Sequence, residues 1–288
     1  MVPMLRSIEE KKMIHGIPMS KFYNYVGVTR QGFHQSALAY DAREEMMSEI
    51  SSMTAEYRRR VDCRAGSRSL YYNLNIKQHF GIGISKFEQL MSDYNLTLKP
   101  LRVRVVTTKS IEASRNYHNL INGLVIDNIN QLVVGDLTYI YLGGKRYFLF
   151  CLTDVYSGRI VGHCIHTRMR AVEAMKALNM WVKLRGKNNL KNCIHHTDGG
   201  SQYFSGIYLH AVKEGIKAQV SCAKSCLENG YAEQRNGIIK NHLLPTLSNS
   251  GPKGVAKGVK TALNNYDLIR KQEGLKWLSP IEFEKQLS

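Results

Sequence analysis

From residue 131 to residue 243 the chain alternates between two hydrophobic periodicities, and their order restricts the folds open to it. Residues 131–142 are β-rich and end at Gly143-Gly144, a hairpin turn. Residues 146–155 form an apolar run suited to a buried strand, Ser157-Gly158 turns the chain, and 159–167 reads as a third strand. Val172, Met175, Leu178 and Trp181 then recur at helical spacing, which predicts a helix over 171–184. A short strand at 192–196, a helix at 207–214, a strand at 216–220 and a helix at 229–243 complete the series. The order β-β-β-α-β-α-β-α predicts an antiparallel meander extended by α/β crossovers.

The region before it has a different character. Residues 4 to about 62 read as helical. Within them 21–35 outlines a helix, a turn at Gly27 and a second helix opened by Thr29 with Arg30 at its head. A DNA-reading helix-turn-helix has this outline, and so does any packed helical hairpin. Phe80 to Leu90 suggests a further small helical unit, capped at Ser85. Residues 100–109 alternate basic and apolar side chains, as in a basic linker whose Arg102, Arg104 and Lys109 track phosphates; a solvated edge strand reads the same way. The expected division is a helical DNA-binding region with basic linker at 1–110, a connector at 111–129, and an α/β core with C-terminal extension at 130–288.

Charge points to the partner. Forty Lys and Arg against 23 Asp and Glu leave +17, spread as +7 over residues 1–110 and +10 over 111–288. Such an excess favours a polyanion through counterion release, hence DNA. No apolar run approaches the roughly 20 residues that span a bilayer, and the N-terminus lacks a secretory apolar stretch. A cytosolic protein with no membrane partner is expected. The six cysteines include no Cys-x2-Cys pair; Cys151, Cys164 and Cys193 lie in apolar runs as small core residues. Cys222-x3-Cys226 lacks the second pair of ligands that zinc requires.

Three acids stand out from this background. Asp136 lies mid-strand among Val133, Val134, Leu137 and Ile140, where a charge is costly unless paired or metal-bound. Asp198 follows a short strand and precedes Gly199-Gly200, at the kind of strand end that faces a ligand crevice. Glu233 sits in a predicted helix with Asn229 four residues earlier on the same face. Taken singly, an Asp before Gly-Gly is usually a turn residue and a helical Glu is usually solvated. Taken together, the three suit two Mg2+ ions, with Mn2+ as an alternative, astride a phosphodiester undergoing in-line displacement. Lys240 comes two helical turns after Glu233 and so shares its face. His196 and Gln202 flank Asp198 in supporting positions, and Asp154 reads as a hairpin-turn residue.

The strings around these acids resemble the catalytic core of DDE transposases of the insertion-sequence-three family, OrfB type, relatives of retroviral integrases. Asp136-Leu-Thr-Tyr is similar to the first-aspartate motif, His196-Thr-Asp198-Gly-Gly-Ser-Gln-Tyr203 to the second, and Asn229-Gly-Tyr-Ala-Glu233 followed by Lys240 to the glutamate motif. Leu278-Ser-Pro-Ile-Glu-Phe283 resembles the C-terminal signature, and Val28-Thr-Arg-Gln-Gly-Phe33 and Phe80 to Leu90 loosely resemble the helical motifs. The chain departs from the pattern at Val133, where the family usually has Trp, and at Glu228-Asn229-Gly230. It also has 34 residues between Asp198 and Glu233, one fewer than usual.

The resemblance implies an RNase-H-like integrase core: a mixed five-stranded sheet with flanking helices, preceded by N-terminal helical DNA-binding elements. It implies Mg2+-dependent DNA end cleavage and strand transfer, with Asp136, Asp198 and Glu233 as metal ligands and Lys240 on the DNA backbone. It further implies a homo-multimer on DNA, and an upstream-frame helix-turn-helix protein or fusion as a second partner. A nuclease of the same fold without joining activity, or an inactive DNA-binding derivative, are the rival readings.

Overall fold

The computed structural model describes residues 2–4, 6–7, 9, 18–99, 116–142, 144–223, 226–247 and 252–287. The basic linker expected at 100–109, with Arg102 and Arg104, lies outside them.

The helical region contains α1 (Met19–Val26), α2 (Arg30–Arg60), α3 (Ser67–Asn73), α4 (Ile76–Phe80) and α5 (Ile84–Asp93). Gly27 takes a left-handed conformation (φ 74°) that closes α1, and the Thr29 side chain accepts from the Gly32 amide to start α2. The turn expected between two helices is therefore present. The cap of helix α5 lies two residues earlier than expected: Gly83 is the N-cap and Ser85 lies inside the helix. Extended backbone at Gly83 makes the break that a serine hydroxyl would otherwise mark.

The α/β region forms one five-stranded sheet in the order β3-β2-β1-β4-β5. Strands β1 (Leu132–Leu142), β2 (Lys145–Asp154) and β3 (Ile160–His166) make the antiparallel meander; β4 (Ile194–Thr197) runs parallel to β1, and β5 (Gln219–Cys222) parallel to β4. Five strands in this mixed arrangement, helices on both faces, give the RNase-H-like fold. Strand β2 is buried along eight consecutive residues because both of its faces are covered, which is why its sequence reads as one unbroken apolar run. Phe150 and Leu152 pack with α6 (Ala171–Arg185) and its Trp181, whereas Leu149 and Cys151 pack on the other face against Ile239, Val259 and Leu263.

After α6 come α7 (Gly206–His210), α8 (Gly230–Ile238), α9 (Pro252–Leu268) and α10 (Pro280–Lys285). Two expected helices change pitch: α7 runs into a π-helical turn at Ala211–Gly215 and α8 into another at Ile239–Leu243. The last strand sits later than expected, at Gln219–Cys222, because the chain is still turning from Gly215 to Ala218. Asp154 is more than a turn residue. It is fully buried, accepting from the Asn130 and Ser157 amides, and it neighbours a buried Arg185–Glu284 ion pair that fastens α10 to the core.

Candidate active site

The site is built by strand register. Parallel β1 and β4 pair Val134 with His196 and Gly135 with Thr197, so the next step along both strands sets Asp136 beside Asp198. Leu132, Val134 and Ile194 form a small apolar cluster with Ala232 of α8, so alternation sends Asp136 to the same, α8-facing side. Helix α8 meets it there: Asn236 donates to Asp136 Oδ2 at 2.6 Å, while Oδ1 accepts from the Leu137 amide at 2.8 Å. Glu233 is one turn before Asn236 and exposed.

Electrostatics distinguish the three acids. Loss of hydration pushes the Asp136 carboxyl up to about 7, the charges of Asp198 and Glu233 push the same way, and the two hydrogen bonds oppose them. Burial also raises Asp198, against a weak hydrogen bond of 3.3 Å from the Gly200 amide. A carboxylate pair this costly to ionise is relieved by a cation, and an all-oxygen donor set of this kind suits a hard divalent ion such as magnesium. Among the described residues, no three His, Cys, Asp or Glu side chains stand close enough together to hold a metal ion. The sheet thus brings Asp136 and Asp198 together and places Glu233 within their field, short of closing a three-ligand shell.

His196 supports the site from below. Its Nδ1 meets the Ser221 hydroxyl at 2.8 Å and its Nε2 the Glu228 carbonyl at 3.1 Å, tying β4 and β5 to the approach of α8. Burial lowers its pKa, which keeps the ring neutral for that bridging. Gln202 is buried beside Gly200. Lys240 is exposed in the π-helical turn after α8. Arg30 is exposed at the start of α2, in the separate helical region.

Two contributors escape a reading of the sequence. Asn236 holds Asp136, and its one signal is a spacing of three from Glu233. His195 is completely enclosed, bonded to the Val133 carbonyl at 3.1 Å and to the Tyr208 hydroxyl at 2.9 Å, and burial lowers its pKa to about 4. Nothing in its string separates it from His196.

Residues 127–226 match the family profile of the integrase core domain. The stretch includes Asp136 and Asp198 and stops short of Glu233. A protein of insertion sequence element IS986/IS6110 from Mycobacterium tuberculosis (strain ATCC 25618 / H37Rv) is 34% identical over 119 residues, 40% of this chain. The chain spans about two fifths (43%) of that relative's length. The transposase for insertion sequence element IS629 from Shigella sonnei is 28% identical over 189 residues, 65% of this chain and 62% of its own. Among solved structures, the HTLV-2 integrase catalytic core domain in complex with magnesium is similar at 20% identity and a TM-score of 0.45. That likeness covers 54% of this chain and 95% of that one.

Proposed function

We propose that this chain is a transposase: a polynucleotidyl transferase that cuts DNA at the ends of a mobile element and joins those ends to target DNA, using Mg2+ or Mn2+. The observation that carries the reading is the β1–β4 register, which sets Asp136 within β1 beside Asp198 just past the end of β4, under the helix bearing Glu233. The relatives named as insertion-sequence proteins support the substrate class, and the net charge of +17 supports DNA as the partner.

Asp136, Asp198 and Glu233 would hold the ions. Two divalent ions, when bound, supply the charge that activates a water or 3′-hydroxyl and stabilises the leaving oxygen. Asn236 fixes the Asp136 carboxylate, and His196 fixes the start of the glutamate-bearing helix. Lys240, exposed just beyond α8, would hold a DNA phosphate near the reacting one. Arg30 serves as a DNA contact of the helical region, and Arg102 and Arg104 as contacts of the linker. The working form is a multimer bridging two DNA ends in the cytosol, joined there by an upstream-frame helix-turn-helix product.

The test supplies labelled element-end DNA, target DNA and Mg2+ to the full chain. Asp136→Asn, Asp198→Asn and Glu233→Gln should each lower joined product by about a hundredfold or more while DNA binding persists. Full joining by any one variant sinks the assignment of that residue. Cleavage without joined product moves the reading to a nuclease.

A further inference from the structure

Glu233 rides on a helix that has little hold of its own. Helix α8 is nine residues long, starts at Gly230, carries a second glycine at 237, and its N-cap Asn229 makes no side-chain cap bond. Glycine is among the poorest helix formers. Two of the nine residues, Ala232 and Asn236, are buried, so a methyl group and an amide are what the helix lays on the sheet. With each residue turning the helix by about 100°, Glu233 and Arg235 leave it on opposite flanks of that narrow stripe. A helix so seated can roll, and a roll carries Glu233 toward the carboxylate pair or away from it.

Arg235 supplies a hold on the other flank. Its Nη1 donates to the Tyr266 hydroxyl at 2.6 Å and to Gln272 Oε1 at 2.8 Å. Tyr266 belongs to α9, is fully buried, and passes its own proton to the Gly158 carbonyl at 3.2 Å. The guanidinium lies against that same glycine, in the turn between β2 and β3: a Cβ at 158 would stand 2.9 Å from Nη2. One side chain of α8 thus grips α9, the segment after it and a turn of the sheet. The planar fork of arginine reaches two acceptors at once in a way that a lysine cannot.

We propose that Arg235 is a positioning residue of the site: it clasps α8 to Tyr266 and Gln272 and so sets the direction in which Glu233 reaches toward Asp136 and Asp198. The proposal rests on the metal-site reading above. The two aspartates need no such device, because strand pairing fixes β1 and the end of β4. Asn236 ties α8 to Asp136 from the sheet side, and Arg235 ties it from the flank opposite Glu233. Together they stop the roll that a short, glycine-bounded helix would otherwise make.

Hydrogen exchange of the metal-free, full-length protein tests the clasp without any activity. Arg235→Gln should speed amide exchange within α8 by about tenfold or more, while β1 and β4 exchange as in wild type. Joining is then followed with labelled element-end DNA, target DNA and Mg2+, at a temperature where circular dichroism shows every variant folded. Arg235→Gln should slow joining by about tenfold or more with DNA affinity unchanged. Arg235→Lys, which keeps the charge and loses the fork, should fall with it. In a Glu233→Gln background, Arg235→Gln should lower joining by less than about twofold further, because the group it positions is already gone.

Unchanged exchange in α8 overturns the proposal. So does full joining by Arg235→Lys, which would make charge the reason for the arginine. A loss that persists undiminished in the Glu233→Gln background would make the role one of general packing, and overturns it too. Full joining by Arg235→Gln, with Glu233→Gln inactive, removes this proposal alone. Full joining by Glu233→Gln removes the metal-site assignment of Glu233 and the proposal with it.

Discussion

A carboxyl group at position 136 carries a cost that varies with pH, because burial first and the Asp198 charge second push its ionisation up to about 7. An unfolded chain ionises the same group near pH 4. Below that, both states hold the proton and the folded state bears no penalty. As pH rises from about 4 to 7 the unfolded chain releases its proton first, and stability is lost until the folded carboxyl also ionises. Metal-free Asp136→Asn should therefore be more stable than wild type at pH 8, by at least about 1 kcal/mol. The difference should vanish near pH 4, and Mg2+ at pH 8 should stabilise wild type and leave the variant unmoved. Urea denaturation at the two pH values, with chelator or Mg2+, checks both parts; equal stabilities at pH 8 in chelator would refute the argument. The acids themselves were legible as residues, since a charge amid Val133, Val134 and Leu137 is anomalous on sight. Asn236 and His195 were not, because their roles depend on which elements become neighbours.

At the scale of elements, periodicity located the five strands and the helices of the core as far as residue 243, while α9 and α10 went unread and close backbone contacts and changes of helical pitch left no trace in it. Gly162 is an example. In the sequence it is a small residue within the expected strand 159–167. In the fold it lets β3 lie against α6, since a Cβ there would stand 2.2 Å from the Ala177 carbonyl oxygen. That obstacle is helix backbone, which cannot rotate away as a side chain would. Gly162→Ala should lower stability by about 2 kcal/mol, seen as a reduced denaturation midpoint with an unchanged slope; an unaltered midpoint would mean that helix and strand separate more freely than packing suggests. The two π-helical turns teach the same lesson. Residues 207–214 and 229–243 each show one amphipathic helix in sequence, and each takes a wider turn where the chain must return to the sheet or pass under α9.

Over the whole molecule, the helical region and the core are joined by a buried charge. Asp62, just past the end of α2, is almost wholly enclosed; its two oxygens accept from His242 Nδ1 at 2.9 Å and Arg270 Nε at 2.8 Å, both from the core side. Lys271 Nζ donates to the Tyr72 carbonyl and the Asn75 side chain, and Tyr72 stacks on Trp277 with centroids 4.0 Å apart. No local pattern announces this junction, because its partners are some 180 to 208 residues apart. Removing Asp62 leaves His242 and a permanently charged Arg270 without their acceptor in a dry interface, a loss of about 3 kcal/mol. Since most other contacts of the two regions are internal to each, that loss should fall on their coupling. The His242 and Arg270 contacts hold the Asp62 carboxyl below its usual range against burial, so the contribution is present above pH 4 and disappears only as the pH falls below it. The two tryptophans report different places: Trp181 is fully buried in the core and Trp277 lies at the junction. In a Trp181→Phe background, the Trp277 emission of Asp62→Ala should change at a lower temperature than the far-ultraviolet signal of the whole chain. With Asp62 present the two should move together. Coincident transitions in both proteins would mean that the regions are held by packing alone and that the buried carboxylate contributes nothing to their union.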